Sequence, residues 1–246
     1  MPSVSVCFPA YNERATIGAV LSEAHELLST SGLDYEILVC DDASADNTAS
    51  IADEIAARWP RIRVLRNSKN LGIRDTFERL YREASKELVF LNSTDRQWET
   101  KILFELLPLM SEFDIVIASR RNKHYGVSRN FTSWVFNSIP PLLFGVKTYD
   151  AGAVKLVRRE VIERFSLVSR SPFTEAERLI RAERAGYRIA SHPVNVSERA
   201  AGKARGAKLS SVIEAGKDVL RVWRALRRET RAARAAARSR GPRSQL

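Results

Sequence analysis

The 246 residues predict an α/β protein, a mostly parallel sheet flanked by helices with a C-terminal basic amphipathic helical extension. Three observations predict it. Short apolar runs of strand length alternate with segments whose apolar residues recur at helical spacing, the pattern of successive βαβ units. Each apolar run ends in small polar or acidic residues. The positive charge is confined to the end of the chain: residues 1–198 hold 26 Lys and Arg against 26 Asp and Glu, and residues 199–246 hold 14 against 3.

Val4–Phe8 reads as a strand stopped by Pro9, followed through Ala10-Tyr11-Asn12-Glu13 by a helix near Ala15–Thr30 with Ile17, Val20, Leu21, Ala24, Leu27 and Leu28 on one face. Tyr35–Cys40 is a second strand, ending in Asp41-Asp42-Ala43-Ser44-Ala45-Asp46, and Thr48–Trp59 a second helix. Arg61–Leu65 is a third strand, Asn67–Gly72 a loop and Asp75–Ser85 a helix. Leu88–Leu91 is a buried strand leading into Asn92-Ser93-Thr94-Asp95-Arg96-Gln97-Trp98, and Asp114–Ser119 is a further strand followed by Arg120, Arg121, Lys123 and Arg129. Glu175–Gly186 reads as a helix, as does the chain beyond Gly206. There, Leu209, Val212, Ile213, Val219, Leu220, Trp223 and Leu226 form an apolar stripe beside a row of arginines, and Gly241-Pro242 ends the helix.

The 44% hydrophobic and 28% charged composition supports one substantial core, so residues 1–208 are expected to form the main domain and 209–246 a basic amphipathic helix with a disordered end. Cys7 and Cys40 lie in apolar strands and read as buried thiols in a reducing compartment, not as a disulfide. No leader is legible and no stretch of 18 residues is free of charge, which points to a cytoplasmic protein whose membrane contact is peripheral.

The residues at the strand ends suggest a function. Glu13, Asp41, Asp42 and Asp95 all sit just beyond strands, where open α/β sheets bind ligands. Carboxylates there can accept hydrogen bonds from a base or ribose, or hold a cation that neutralises a diphosphate; singly, each also suits a turn or a helix cap. Asp95 and Gln97 are placed for a divalent cation, and the arginines after the Asp114–Ser119 strand for phosphate oxygens. His124 and His192 have no partner evident in sequence and are expected to be structural.

The ordered series Pro9-Ala10-Tyr11-Asn12-Glu13, Asp41 to Asp46, Asn70-Leu71-Gly72 and the Asp95 turn resembles the family 2 glycosyltransferases, which have the GT-A (Rossmann-like) fold. Ser119-Arg120, Asp150-Ala151-Gly152, Glu177 with its helix to Gly186-Tyr187, His192-Pro193-Val194 and Arg199-Ala200-Ala201-Gly202-Lys203 narrow the resemblance to polyprenol-phosphate (dolichol-phosphate) mannose or glucose synthases over about residues 3–210. It implies that Pro9, Tyr11 and Glu13 line the nucleotide-sugar site, that Asp42 binds the base, and that Asp95 with Gln97 holds Mg²⁺ or Mn²⁺ on the diphosphate. Arg120 and Arg129 would meet phosphate, and Arg199 and Lys203 would close over the acceptor and diphosphate from a mobile loop. Asp95, Arg120 and Arg129 are thus the catalytic candidates. Two residues depart from the pattern: Ser93 stands where the family has the first Asp of Asp-x-Asp, and Ala204-Arg205 where Ser-Lys is usual.

The function implied is inverting transfer of a hexose from a nucleotide-sugar donor to a polyprenyl phosphate at the cytoplasmic membrane face. An anionic phosphate nucleophile needs positioning, not a general base, and no further carboxylate stands out as one. The same fold acting on a non-lipid acceptor is an alternative, as is a catalytically weak nucleic-acid-binding protein using its basic tail. Phe131–Val146, uncharged and aromatic, suits either an interfacial segment guiding the lipid or a buried helix pair. The tail suits an anionic membrane surface better than nucleic acid, because its apolar stripe accompanies its charge; packing of that stripe on the catalytic domain is the competing expectation.

Overall fold

A computed structural model describes residues 2–121, 142–146, 154–197 and 209–239. In chain order the elements are β1 (Ser3–Ala10), α1 (Ile17–Ser29), β2 (Asp34–Asp41), α2 (Thr48–Ala56), β3 (Ile62–Arg66), α3 (Ile73–Glu83), β4 (Leu88–Leu91) and α4 (Ile102–Leu106), which continues as a 3₁₀ turn over Leu107–Ser111. Then come β5 (Ile115–Arg120), β6 (Lys155–Arg158), α5 (Arg159–Arg164), α6 (Thr174–Arg184), β7 (Ile189–Val194) and α7 (Leu209–Ser239). Among the described residues seven strands form one sheet in the order β3-β2-β1-β4-β6-β5-β7. All are parallel except β6, which runs antiparallel between β4 and β5.

The expected mostly parallel sheet flanked by helices is therefore present, with two strands the sequence did not announce. β6 has only four residues, bounded by Lys155 and Arg158, and β7 carries Pro193, which an edge strand tolerates because no neighbour needs its missing N–H. The central strands are apolar on both faces: Val4, Val6, Phe8, Ile37, Leu38, Val39, Val89 and Phe90 are all fully buried. Truncating Phe8 to Ala would cost about 3–5 kcal/mol. Cys7 and Cys40 are buried and unbridged, and burial pushes both thiols up, Cys40 to about 11, so they act as small hydrophobes.

In-register pairing sets the functional rim. Ala10 lies beside Asp41, and Asn92 N–H continues the ladder by donating to the Cys7 carbonyl at 2.9 Å. The loops after β1, β2 and β4 consequently emerge side by side at the carboxyl edge of the sheet.

A second, smaller core lies away from the sheet, where Phe144 and Val146 meet Phe173 and Ile180 of the α6 region and Ala215, Val219, Val222 and Leu226 of α7. This corrects the phase of the expected stripe. Val219 and Leu226 are buried and Trp223 packs beside them, but Ile213 and Leu220 are each 53% exposed, and Val222 takes the inner position. Polar contacts lock the seam. The Asp218 carboxylate, fully buried, accepts the backbone N–H groups of Arg170 (2.9 Å) and Ser171 (2.8 Å), and Arg181 Nη1 donates to both oxygens of Glu229 at 3.0 and 3.1 Å. The apolar face of α7 is thus covered by the protein itself. Among the described residues no helix is long and apolar enough to cross a membrane.

Candidate active site

Among the described residues three non-glycine positions have left-handed backbone, and each lies in a different rim loop: Asn12 (φ 56°) after β1, Ala43 (φ 56°) after β2 and Arg96 (φ 58°) after β4. Asn tolerates this conformation, whereas for residues such as Ala and Arg it costs on the order of 1–2 kcal/mol. Cross-links tie the loops around Asn12 and Ala43 together, and one joins the β4 loop to β1. Asn12 N–H donates to Ser44 Oγ (2.9 Å), Ala45 N–H to Asn12 Oδ1 (2.8 Å), Glu13 N–H to Thr48 Oγ1 (2.8 Å), and Thr94 Oγ1 to the Pro9 carbonyl (3.1 Å). Tyr11 and Glu13, expected at the nucleotide-sugar site, are half-buried in this lattice, and Glu13 Oε2 accepts from Thr16 Oγ1 at 3.0 Å.

The two acidic residues ending β2 have different surroundings. Asp42 Oδ1 accepts from Asn67 Nδ2 (2.7 Å) and Leu71 N–H (2.8 Å), and Oδ2 accepts Gly72 N–H (2.8 Å). Asp42, expected on the base, thereby anchors the Asn67–Gly72 loop, whose last residue has φ 86° and so favours glycine. Asp41 Oδ2 accepts Ser44 N–H at 3.2 Å, while its buried Oδ1 has no hydrogen-bond partner among the described residues. A buried, unpaired acceptor at a strand end is costly unless a ligand completes it.

After β4, Asp95 Oδ1 accepts from Ser93 Oγ (2.7 Å) and Gln97 N–H (3.2 Å), which fixes the carboxylate against its own turn. The Gln97 side-chain oxygen, expected on the metal, accepts from Arg120 Nη2 at 3.4 Å, and the Arg120 guanidinium lies 5.2 Å from the centre of the Trp98 ring. An acidic group and a basic group from different strands thus flank one turn. Among the described residues no three His, Cys, Asp or Glu side chains converge to cage a metal ion. A single anchored carboxylate with hydroxyl and amide oxygens nearby still fits Mg²⁺ or Mn²⁺, since such hard cations bind through one or two carboxylates plus substrate phosphates and keep several waters.

The family described as Glycosyl transferase family 2 matches residues 5–173. This chain belongs to that family. Relatives include a dolichol-phosphate mannosyltransferase from Pyrococcus furiosus, 34% identical over 118 residues, covering 48% of this chain and 33% of the relative. An undecaprenyl-phosphate mannosyltransferase from Micrococcus luteus is 27% identical over 219 residues, covering 82% of this chain and 86% of the relative. Glycosyltransferase AglD from Haloferax volcanii is 29% identical over 232 residues, covering 89% of this chain but 37% of the relative. The chain therefore spans only about a third of the length of two of these relatives. The fold is also that of glucosyl-3-phosphoglycerate synthase from Mycobacterium tuberculosis, solved with Mn²⁺, UDP and phosphoglyceric acid: TM-score 0.70 at 19% identity, over 90% of this chain and 78% of that one.

Two other motif residues of this family 2 glycosyltransferase have partners within the fold. Glu177 is fully buried and accepts from the N–H groups of Val168 and Ser169, from Ser169 Oγ and from Arg181 Nε. His192, expected to lack a partner, lies 3.5 Å from a Glu105 carboxylate oxygen. Arg129, Arg199, Lys203, His124 and the Asp150-Ala151-Gly152 motif fall outside the described residues. Sequence reasoning did not single out Asn92, whose Oδ1 accepts Ser93 N–H at 2.8 Å while its buried amide nitrogen has no partner among the described residues. Its signal is a polar residue ending an apolar strand. A buried ionic group was missed as well: Lys155 Nζ donates to Glu175 Oε2 at 2.6 Å, and Tyr81 OH donates to the same oxygen at 2.9 Å. Burial opposes ionisation of Glu175, but Lys155 and Arg178 outweigh it and hold its carboxyl below the usual range. A cleft of about 480 Å³ lies on the α1 side of the Asp95 turn, beside the Arg96–Glu23 ion pair. Its lining shares Arg96 and Trp98 with the Asp95 turn.

Proposed function

We propose that the chain is an inverting glycosyltransferase that moves a hexose from a nucleotide-sugar to a polyprenyl phosphate at the cytoplasmic membrane face, bound there peripherally. The observation that carries this reading is the pairing of Asp95 and Arg120 across the Gln97–Trp98 turn, in a chain whose relatives bear the names of polyprenyl-phosphate mannosyltransferases. On this reading Asp95 is the cation holder and Arg120 the phosphate binder, with Gln97 between them.

Pro9, Tyr11 and Glu13 form the wall of the nucleotide site, and Asp42, whose carboxylate also anchors the Asn67–Gly72 loop, meets the base beside Asp41. Asp95, with Gln97 beside it, would hold Mg²⁺ or Mn²⁺, and the cation would supply neutralisation of the diphosphate leaving group. Arg120, oriented by Trp98 and Gln97, and Arg129 grip the acceptor phosphate, and Arg199 with Lys203 closes over it. The acceptor phosphate is anionic at neutral pH, so these residues orient it for in-line attack on the anomeric carbon and need not remove a proton. Attack opposite the leaving group inverts the configuration. The arginines on the outer side of α7 supply the attraction to an anionic membrane surface.

The test is to incubate the protein and Mn²⁺ with labelled nucleotide-sugars, with and without short polyprenyl phosphates. A labelled lipid product supports the assignment. Transfer to a soluble sugar alone, with every lipid inert, would reassign the acceptor.

A further inference from the structure

Asp42, which anchors the Asn67–Gly72 loop, is itself oriented from α3. Arg79 of that helix donates from Nη1 to the Arg66 carbonyl at 2.5 Å and to Asn67 Oδ1 at 2.7 Å. Asn67 Nδ2 in turn donates to Asp42 Oδ1 at 2.7 Å. A guanidinium only donates and a carboxylate only accepts, so the order of this chain fixes which way the amide points. Turned over, the amide would set its oxygen against the carboxylate and its nitrogen against the cation. A neutral amide thus joins a cation to an anion, and each charge strengthens the hydrogen bonds beyond its own. Asn67 and Asp42 are both buried, so water competes little for the bond between them. The chain connects the end of β2, the start of the loop after β3 and the middle of α3, three segments that are separate in sequence.

The hydrogen bonds to Asp42 leave its two oxygens unequal. Oδ1 accepts Asn67 Nδ2 and Leu71 N–H, which fills its two lone-pair sites, whereas Oδ2 accepts Gly72 N–H and keeps one site open. The direction of the open site follows the rotation of the carboxylate, and among its described donors Asn67 alone acts through a side chain. We propose that Arg79 is a positioning residue of the donor site: acting through the Asn67 amide, it sets the angle at which Asp42 presents its open oxygen to the base, an assignment that rests on the nucleotide-sugar reading above. Without the Arg79 contact the amide is free to rotate about its side-chain bonds, and the carboxylate turns with it. The hydrogen bond to the base is then misaimed, while the backbone donors Leu71 and Gly72 still hold the loop.

The experiment titrates UDP and GDP, each with Mn²⁺, into the wild type, Arg79→Met, Arg79→Lys, Asn67→Ala and the double variant Arg79→Met/Asn67→Ala by calorimetry, with thermal melts to keep every titration well below unfolding. Arg79→Met should weaken the nucleotide that the wild type binds by about five- to tenfold, as expected for a charge-assisted hydrogen bond that is misaimed and not removed. Arg79→Lys should recover most of that loss, because a single nitrogen makes both bonds and an ammonium group, with three donors, can stand in for it. The double variant should bind no more weakly than Asn67→Ala alone, since Arg79 acts through the amide. Unchanged nucleotide affinity in Arg79→Met, with only the melting temperature lowered, overturns the assignment and leaves Arg79 as a brace for the end of β3. A double variant that shows both single losses in full also overturns it, because Arg79 would then act independently of Asn67. Should Arg79→Met fail to fold, Arg79→Gln takes its place in the same comparison. A wild type that binds neither UDP nor GDP overturns the donor reading and this assignment together.

Discussion

Asp41 and Asp42 are neighbours at the end of β2 with opposite commitments: Asp42 accepts three hydrogen bonds from the Asn67–Gly72 loop, and Asp41 keeps a buried carboxylate oxygen unpaired among the described residues. Asp42→Asn should therefore act on stability, because the new amide group would face backbone donors; a loss of about 1.5–3 kcal/mol is expected in denaturant titration. Asp41→Asn should leave the melting temperature nearly unchanged and weaken nucleotide binding about tenfold, the worth of one charge-assisted hydrogen bond. The reverse allocation in calorimetry and melting would exchange the two roles.

Asp95→Ala should abolish turnover while circular dichroism and melting stay close to wild type, since its hydrogen bonds lie within one turn. Arg129→Ala should raise the acceptor KM or lower kcat with little change in nucleotide affinity. Equal loss of nucleotide binding in the Arg129 variant would move that residue to the donor side.

Asp218 makes the stability of the α7 seam depend on pH. Burial alone would raise its pKa, but hydrogen bonds from Ser171, Arg221 and Arg170 hold it below the ordinary carboxylate value. A depressed folded-state pKa contributes stability that is complete above the unfolded value, about 3.9 for Asp, and is lost as pH falls through the lower folded value. Asp218→Asn should accordingly be less stable than the wild type at pH 7, with the gap closing below about pH 3.9. A gap that persists unchanged into acid would show that the charge of Asp218 is irrelevant to the seam.

Membrane binding by α7 has to be probed without breaking that seam. A chain ending near Gly216 would lose Asp218, Val219, Val222 and Leu226 from a packed core, so reversing exposed charge is the better perturbation. Arg224→Glu, Arg227→Glu and Arg228→Glu together should release the protein from anionic vesicles in sedimentation, given about 1 kcal/mol per basic residue near such a surface, and leave the melting temperature largely intact. Pelleting equal to the wild type would remove α7 from the membrane contact.

Most of the sheet was legible because its strands are buried on both faces and read as unbroken apolar runs between turn residues. β6 was not, since four residues flanked by charges lack any run to detect, and its antiparallel place between β4 and β5 is fixed only by tertiary pairing. The phase of α7 was misjudged for a related reason. Apolar residues occur on two sides of that helix, and the choice of Val222 over Leu220 as the inner residue is made by Phe173 and Ile180, which are distant in sequence. At the site, acidic residues after strands marked the rim, but the separate commitments of Asp41 and Asp42 depend on the left-handed turn at Ala43 and on a loop that begins at Asn67.

The left-handed residues at Asn12, Ala43 and Arg96 also bear on how this protein can be engineered. Among the described residues this backbone strain is concentrated in the three rim loops, so substitutions there act on the stiffness of the rim more than on folding stability. Glycine at position 43 would relieve the backbone while increasing the freedom of the unfolded chain, two effects of similar size, and the rim would become more compliant at little net cost in folding. Thermal robustness and a stiff ligand-binding edge are thus separately adjustable properties, and a variant selected only for the first can lose the second without any change in its melting curve.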